Sequence, residues 1–444
     1  MCQIEKISIK KWIAFFILIV VVFTLFFIFC MEIIKENSPL QVMQEAIDYV
    51  RLTNSDEIVL LRWDKKLEAV SYELEIFEGD SPDLRADQSV ANAFYRNKKV
   101  FTSGKMLKLR MFRSNIDKEI FWRVRALDEN ENPISAYTAP QLLQPEKQLV
   151  TRNAPLPVIN AQGEKGSVLL YPVYAYIGNP DAVTFEVEVL GHYPENLLDY
   201  RPSVYRVYSR IEPLTDIYDE FPRIGTFYWR VRGMDEKGKP VGIWSEPQML
   251  TVNTDGYGEV AIYGDSISHG GGHISFSPND LEYSYGHYLD FPTINLSESG
   301  NTSEDMVNRF ERDVLPFRPR YLLIMGGTNS LRAGFGALPV IHDLSQIQEK
   351  CRAYHIVPIL LTLPPINPSL IDKAFQEETS PAWQMDFEMV NNYIRSQPHI
   401  DTAAPFEGMT EISAELALDG LHGDCRMKQL IAEEINKKIS SFMQ

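Results

Sequence analysis

The chain has 444 residues, of which 45% are hydrophobic and 23% charged, a length of about three ordinary domains and a composition that argues against long disordered stretches. The 43 Lys and Arg residues against 60 Asp and Glu residues give a net charge of −17. Such a surface repels phosphate backbones, so we expect no nucleic-acid partner. The four cysteines show no zinc-ligand spacing, and Cys351 and Cys425 could pair only if the fold brings them together.

The first element in chain order is an uncharged apolar segment, residues 12–31. A helix of that length rises about 30 Å, enough to cross the hydrocarbon core of a bilayer. Residues 1–11 contain Lys6, Lys10 and Lys11, and the positive-inside rule places them in the cytoplasm. We therefore predict a single-pass signal anchor in the cell membrane, with the rest of the chain extracytoplasmic, as in a bacterial envelope. A cleaved secretory signal is the alternative, although no small-x-small cleavage site follows the segment.

After a linker over residues 32–45, the sequence contains an internal repeat. Residues 121–125 (FWRVR) match residues 228–232 (YWRVR), and upstream residues 72–76 (YELEI) parallel residues 185–189 (FEVEV). These stretches alternate apolar and charged residues, which predicts strands with one buried and one solvent-exposed face. A repeat of about 100 residues is the size of a domain, so we predict two all-β units, over residues 46–150 and 151–252.

The two units resemble fibronectin type III domains in the aromatic-Arg-Val-Arg strand, the turn that follows it and the exit at residues 245–247 (SEP). Trp63 fits the early core tryptophan of that family, and Pro172 departs from it in the second unit. The resemblance implies sandwiches that serve as spacers. The alternative is glycan or protein binding by exposed aromatic residues such as Tyr205 or Tyr208.

The last 190 or so residues have a different pattern, in which short apolar strands alternate with amphipathic helices. The predicted strands are residues 259–263, 293–296, 321–325 and 356–362, and the predicted helices are residues 302–313, 337–354 and 376–395. Continuous apolar strands alternating with helices indicate a parallel sheet that is covered on both faces. Ligands bind beyond the carboxyl ends of such strands. Ser266, Gly300 and Asn329 each follow a strand end, so we expect them to meet there.

The sequence Asp419-Gly420-Leu421-His422 near the C-terminus supplies an acid and a base. A serine hydroxyl is a weak nucleophile and needs a base to take its proton, which a histidine can do. The histidine needs a carboxylate to hold its tautomer. We therefore predict Ser266 as nucleophile, His422 as base and Asp419 as the residue that orients it. The backbone N–H groups of Ser266 and Gly300 and the Asn329 amide are the candidate oxyanion donors.

With these residues in place, the region resembles the SGNH hydrolase (GDSL esterase/lipase) family. Its four blocks occur in order, as residues 264–266 (GDS), 299–302 (SGNT), 326–329 (GGTN) and 419–422 (DGLH). The resemblance covers residues 256–444 and implies an α/β/α flavodoxin-like domain, an oxyanion hole formed by Ser266, Gly300 and Asn329, and no metal or other cofactor. The chain departs from the family at Gly423, where proline is common, and in a longer loop over residues 270–283.

Other residues in this region have competing interpretations. Asp265 could be catalytic, but we expect it to stabilise the turn after the first strand. His269 and His273 could bind a metal, but without a third ligand we expect solvated or pocket-lining side chains. Ser268 is the second choice of nucleophile.

The stretch over residues 364–381 contains several prolines and is predicted to be a loop over the strand ends. Trp383, which follows it, and Phe276 could each contact substrate or pack in the core. The sequence gives no basis for predicting the oligomeric state.

The sequence therefore predicts a membrane-anchored serine esterase in which two sandwich domains hold the hydrolase away from the bilayer. An O-acylated glycan is the favoured ester, with a lipid or lysophospholipid ester as the alternative. A non-catalytic surface module that binds glycan or protein is the alternative of a different class.

Overall fold

The computed structural model describes residues 57–79, 85–91, 93–115, 118–159 and 168–443. The predicted cytoplasmic N-terminus, the predicted anchor over residues 12–31 and the linker lie outside these residues. Among the described residues, no helix is both long enough and apolar enough to span a bilayer.

The first unit is all-β, with two antiparallel sheets. Its elements are β1 (Ile58–Arg62), β2 (Ser71–Glu78), β3 (Tyr95–Val100), β4 (Gly104–Lys108), β5 (Ile120–Leu127), β6 (Gln141–Leu142), α1 (Pro145–Gln148) and β7 (Leu149–Val150). The strand orders are β4–β1–β7 and β3–β2–β5–β6. Between the sheets, the Trp63 ring lies 5.5 Å from the Tyr72 ring and 6.3 Å from the Trp122 ring, so Trp63 packs against the core as predicted.

The second unit also has two antiparallel sheets. Its strands are β8 (Leu156–Val158), β9 (Val173–Ile177), β10 (Thr184–Leu190), β11 (Arg206–Glu212), β12 (Asp216–Tyr218), β13 (Gly225–Met234), β14 (Pro240–Val241) and β15 (Gln248–Val252). One sheet has the order β12–β9–β8, and the other has the order β11–β10–β13–β14 with β15 on β13. Two successive all-β units are thus present, and their resemblance to fibronectin type III domains stays a prediction.

The repeated charged residues do not form a solvent-exposed face, although their alternation with apolar residues predicted one for β2 and β10. In the first unit Arg123 on β5 donates to Glu75 on β2 at 3.1 and 3.2 Å, and both side chains are buried. In the second unit Arg230 donates to Glu188 at 2.6 Å, also buried. Opposite charges compensate each other across each strand pair. An aromatic ring also lies over each guanidinium, with Arg123 4.0 Å from the centre of the Tyr137 ring and Arg230 4.8 Å from that of Trp244.

The C-terminal domain contains a five-stranded parallel sheet in the order β17–β16–β18–β19–β20. The strands are β16 (Val260–Gly264), β17 (Thr293–Asn295), β18 (Tyr321–Met325), β19 (Val357–Leu361) and β20 (His399–Ile400). The helices are α2 (Ser266–His269), α3 (Ser303–Val314), α4 (Thr328–Arg332), α5 (Ala337–Ala353), α6 (Pro368–Phe375), α7 (Trp383–Arg395) and α8 (Cys425–Lys438). The four predicted strands and the parallel sheet are confirmed.

Some details of this domain differ from the prediction. The strand β20 was not predicted because its two residues are too short for a periodic signal. The proline-containing stretch predicted as a loop contains α6, and the predicted helix over residues 376–395 begins only at Trp383.

Cys351 is buried and Cys425 half-buried, and both thiols are free.

Both β units pack against the C-terminal domain, whereas the sequence suggested spacers that hold it away. Core residues of the second unit, such as Tyr171 and Trp229, belong to the same hydrophobic cluster as the strands β16 and β18. The first unit contacts the loop over residues 270–283, where the Tyr283 hydroxyl donates to the Leu67 carbonyl at 2.6 Å. The β units therefore lie where they can shape the surroundings of the strand ends.

Candidate active site

Ser266 lies at a sharp turn between β16 and the short helix α2. Gly264 ends the strand, and a Cβ atom there would lie 2.2 Å from the Met325 carbonyl of the neighbouring strand β18, so only glycine fits. Asp265 is the N-cap of α2, and its Oδ1 accepts a hydrogen bond from the Ile267 N–H at 3.0 Å. This contact confirms the prediction that Asp265 stabilises the turn.

Three predicted residues form a chain of hydrogen bonds at this turn. His422 Nε2 lies 2.8 Å from Ser266 Oγ, and His422 Nδ1 lies 2.9 Å from Asp419 Oδ2. Asp419 Oδ1 accepts from the backbone N–H groups of Leu421 and His422 at 2.9 and 2.7 Å. The carboxylate is therefore held by the backbone on one oxygen, while the other oxygen fixes the imidazole.

Asp419 is 1% exposed and its environment keeps it ionised. Burial raises the pKa of its carboxyl, but the neighbouring imidazole and the hydrogen bonds from His422 and Leu421 outweigh burial and hold the pKa below its usual range. An ionised Asp419 accepts the Nδ1–H of His422, which leaves Nε2 unprotonated and able to accept the Ser266 hydroxyl proton.

A buried lysine supports the same turn, and the sequence analysis missed it. Lys428 on α8 is completely buried, and its Nζ donates to the Ile267 carbonyl at 2.7 Å. Burial lowers the pKa of Lys428 to about 8, against the opposing effect of the Asp419 and Asp265 carboxylates. Burial also raises the pKa of Asp265 to about 6, against the hydrogen bond from Ile267. No helix was predicted over the residues of α8, so the sequence analysis did not consider Lys428.

Gly300 and Asn329 lie at the same end of the sheet, as predicted. Gly300 has a φ of +86°, in the left-handed region that favours glycine. The Asn329 amide donates to the Asn301 carbonyl at 3.0 Å, and its Oδ1 accepts from Arg332 Nε at 3.3 Å. These two contacts fix which way the amide faces. Among the described residues, no partner is found for the backbone N–H of Ser266 or Gly300.

These side chains surround one cavity of about 200 Å³. The predicted residues Ser266, Gly300, Asn329 and His422 all line it, together with residues that sequence reasoning did not identify: Tyr218, Arg332, Phe375, Glu377 and Leu421. The spacing of Arg332, three residues after Asn329 on the short helix α4, could have indicated its proximity. No sequence signal pointed to Tyr218, which comes from the second β unit.

The residues that could have been an alternative nucleophile or substrate contacts lie away from the cavity. Ser268 is buried and hydrogen-bonded to the Tyr285 hydroxyl at 2.9 Å. Phe276 stacks on Tyr283 with ring centres 4.5 Å apart, and Trp383 packs in the core against Phe387. None of these three side chains lines the cavity.

His269 differs from the prediction, since it is neither solvated nor pocket-lining. It is 1% exposed, with Nε2 2.8 Å from the Tyr171 carbonyl and Nδ1 2.8 Å from Ser299 Oγ. Burial lowers its pKa to about 4, so the ring is neutral near pH 7, donating from Nε2 and accepting at Nδ1. In the described part of the chain, no group of three or more metal-ligating side chains occurs.

Comparison with known proteins finds a family match for this part of the chain. Residues 262–424 match the family model described as the GDSL-like Lipase/Acylhydrolase family. A curated relative, the uncharacterized lipoprotein YqeF of Bacillus subtilis strain 168, is 32% identical over 124 residues, which are 25% of this chain and 50% of that protein. The chain thus spans about half the length of the curated relative that it matches.

The chain is also similar to several solved structures. The lipase/acylhydrolase from Enterococcus faecalis is 21% identical with a TM-score of 0.31, covering 42% of this chain and 96% of that chain. A GDSL-like lipase from Bacteroides thetaiotaomicron is 18% identical with a TM-score of 0.33, covering 41% and 88%. An acetylxylan esterase from Geobacillus stearothermophilus is 21% identical with a TM-score of 0.31, covering 42% and 96%. The family match places a GDSL-like lipase/acylhydrolase domain in the C-terminal part of the chain.

Proposed function

We propose that the protein is a membrane-anchored, extracytoplasmic serine esterase that removes short acyl groups, acetyl foremost, from O-acylated glycans. The observation that carries the proposal is the hydrogen-bonded series Asp419, His422 and Ser266 at the edge of a small cavity. The reaction needs no metal and no other cofactor.

The first half of the reaction transfers the acyl group to the enzyme. His422 Nε2 takes the proton of the Ser266 hydroxyl as Oγ attacks the ester carbonyl carbon. The carbonyl oxygen becomes an oxyanion while the new C–O bond forms. When the tetrahedral intermediate collapses, the bond to the alcohol breaks, and His422 gives its proton to the departing alcohol oxygen. In the second half, water activated by His422 attacks the acyl-enzyme, and the acid leaves as Ser266 regains its proton.

The developing oxyanion needs fixed donors on its side of the cavity. The backbone N–H groups of Ser266 and Gly300 and the amide of Asn329 fill this role, each donor typically contributing a factor of about 10² to 10³ to the rate. Arg332 keeps the Asn329 oxygen occupied, so that the amide nitrogen and not the oxygen faces the acceptor. Because these donors are held by the fold, little reorganisation is needed at the moment of reaction.

The cavity favours a short acyl group. Its volume of about 200 Å³ is below the range of about 300 to 1,000 Å³ that drug-sized ligands occupy. Phe375 and Leu421 supply its apolar surface, enough for a methyl group. Each additional buried methylene would add about 0.8 kcal/mol of binding, but a cavity this small leaves most of a long chain in water. The cavity size therefore counts against a lipid or lysophospholipid ester.

The membrane location rests on the sequence. The apolar segment over residues 12–31 and the preceding lysines support an anchor with the catalytic domain outside. The curated relative is named a lipoprotein, which agrees with attachment at a membrane. Cell fractionation of the full chain and of a Cys30→Ala variant tests the anchor. A signal anchor keeps both proteins in the membrane fraction, whereas release of the variant alone would show that a lipid on Cys30 holds the chain.

The activity is tested with the full chain in detergent. We expect hydrolysis of 4-nitrophenyl acetate and of an O-acetylated oligosaccharide, with a loss of at least about 10³-fold in kcat for Ser266→Ala. Ser268→Ala is the matched control, because Ser268 is two residues away and bonded to Tyr285, and it should keep activity within about threefold. Equal turnover by wild type and Ser266→Ala would rule out the serine mechanism. A preference for acyl chains beyond about eight carbons would rule out the short-acyl substrate.

A further inference from the structure

One wall of the catalytic cavity comes from outside the hydrolase domain. Tyr218 is the last residue of β12 in the second β unit, and its side chain lines the same cavity as Ser266 and His422. The residue lies 48 positions before the nucleophile in sequence. The cavity is therefore incomplete in the C-terminal domain alone.

The second unit is joined to the hydrolase sheet through the backbone, which fixes this wall in place. The Leu170 N–H donates to the Asn295 carbonyl at 2.9 Å, and the Asn295 N–H donates to the Val168 carbonyl at 3.1 Å. Leu169 and Asn295 form a parallel bridge, so residues 168–170 continue the sheet beyond its edge strand β17. The segment also accepts at the Leu170 carbonyl from the Arg223 N–H, five residues after Tyr218.

A second connection links the wall to the nucleophile turn. His269, the last residue of α2, bonds to the Tyr171 carbonyl of the second unit and to Ser299 beside Gly300. The ring of Tyr218 meets the His269 ring edge to face, with centres 5.8 Å apart. The same histidine therefore contacts the second unit, the nucleophile turn and the loop that carries an oxyanion donor.

The hydroxyl of Tyr218 differs from those of its neighbours in the same sheet. The Tyr174 hydroxyl donates to Asp219 at 2.6 Å, and the Tyr176 hydroxyl donates to the Leu214 carbonyl. No hydrogen bond of the Tyr218 hydroxyl to any described residue is found. Burial raises the pKa of Tyr218 well above its usual range, so the phenol is protonated. Tyr218 is only partly buried and lines the cavity, so its hydroxyl can pair with a substrate group that binds there.

We propose that Tyr218 is a substrate-contacting residue through which the second β unit selects esters formed on the hydroxyl groups of sugars. The acyl group cannot satisfy the phenol, because an acetyl methyl has no hydrogen-bonding atom and its carbonyl oxygen faces the oxyanion donors. A sugar hydroxyl beside the ester can both donate to and accept from the phenol. The alcohol of a simple aryl ester offers no such hydroxyl. This inference rests on the proposed function, since it assigns the alcohol side of the same site.

The test compares two acetate esters in the full chain and its Tyr218→Phe variant. The substrates are 4-nitrophenyl acetate and a monoacetylated methyl glucoside, which differ in the hydroxyls of the alcohol. Loss of one neutral hydrogen bond is expected to lower kcat/KM for the glucoside about 3- to 10-fold, mainly through KM. Activity on 4-nitrophenyl acetate should stay within about twofold. Tyr137→Phe is the matched control, since its hydroxyl bonds to Ser89 in the first β unit, outside the cavity, and both activities should be unchanged.

The outcomes separate this inference from the proposed function. If Ser266→Ala is inactive but Tyr218→Phe equals wild type on both esters, the role of Tyr218 is wrong and the esterase stands. An equal loss on both esters also overturns it, because a purely structural role lowers both. If the wild type hydrolyses the aryl acetate normally but does not accelerate hydrolysis of the glucoside acetate, esters of sugar hydroxyl groups are not its substrates. If Ser266→Ala turns over both esters like wild type, the proposed function itself fails.

Discussion

The Nε2 atom of His422 lies 2.8 Å from the Oγ atom of Ser266, although 156 positions separate the two residues. The contact forms because Ser266 follows the strand β16, while His422 lies in the turn before α8. Such a pair is the minimum needed to turn a serine hydroxyl into a nucleophile.

Asp419→Asn tests how the imidazole is held. The asparagine can still accept from the backbone N–H groups of Leu421 and His422, but the atom facing Nδ1 is either a donor or a weaker acceptor. We expect kcat to fall by about 10² to 10⁴ with little change in KM. Asp424→Asn is the control, because the Asp424 side chain caps α8 through the Met427 N–H and asparagine caps equally well. Equal losses in the two variants would show that the carboxylate at 419 has no special role.

Asn329→Ala tests the oxyanion donors. Removing the amide should lower kcat by about 10² to 10³ and leave KM nearly unchanged, because the bond strengthens only as negative charge develops. Steady-state kinetics with 4-nitrophenyl acetate measure both constants. A rise in KM at constant kcat would instead mean that Asn329 binds the ground state of the substrate.

His269→Gln tests the buried link between the second unit and the nucleophile turn. Glutamine keeps one donor and one acceptor but does not titrate. Burial lowers the pKa of His269 to about 4, from 6.5 in the unfolded chain, so between these values the unfolded chain binds more protons. The stabilisation by neutral His269 is therefore complete above pH 6.5 and is lost as the pH falls toward 4. The charged forms of Arg309 and Lys428 act in the same direction.

The readout is the free energy of unfolding in urea at pH 7 and pH 5. The wild type should lose more stability between these pH values than His269→Gln, by about 1 to 2 kcal/mol. Asp265, whose pKa is raised, contributes the opposite slope in both proteins and cancels in the comparison. Parallel pH dependence in the two proteins would contradict the neutral, buried state of His269.

The strands and the site residues could be predicted from the sequence where the signal is local. Apolar runs of five residues, such as those of β16 and β18, identify buried strands regardless of their partners. The turn residues after them placed Ser266, Gly300 and Asn329 at one edge, since parallel strands share a carboxyl end. The helix α6 had a local signal too, because Asn367 caps it and Pro368 occupies its first turn, but the surrounding prolines suggested a loop.

The remaining features depend on contacts that no local pattern encodes. Tyr218 reaches the cavity only because the second unit continues the sheet of the C-terminal domain. The faces of β2 and β10 that were predicted to be solvent-exposed are buried, because each glutamate pairs with an arginine on the adjacent strand. Alternation predicts that two faces differ, but it does not reveal whether a charged face is covered and paired.

The buried arginine–glutamate pairs give a prediction for stability. Arg123→Met removes the guanidinium on β5 but leaves Glu75 its second partner, Arg96, so the loss of charged hydrogen bonds should cost about 1.5 to 3 kcal/mol of unfolding free energy. Lys118→Met removes one partner of Glu78 at the surface, and an exposed pair contributes about 1 kcal/mol or less. Urea unfolding of the two variants measures the difference. Similar losses would mean that the pair in the first unit is not desolvated.

Labelling of the nucleophile tests the central claim most directly. A fluorophosphonate reacts with a serine whose hydroxyl is activated by a base, and peptide mass spectrometry of the labelled full chain locates the adduct. The account predicts one phosphonate on the peptide that contains Ser266, on Oγ, with the label absent from Ser266→Ala and greatly slowed in His422→Ala. An unlabelled wild-type protein, or a label on Ser268 that persists in Ser266→Ala, would contradict it.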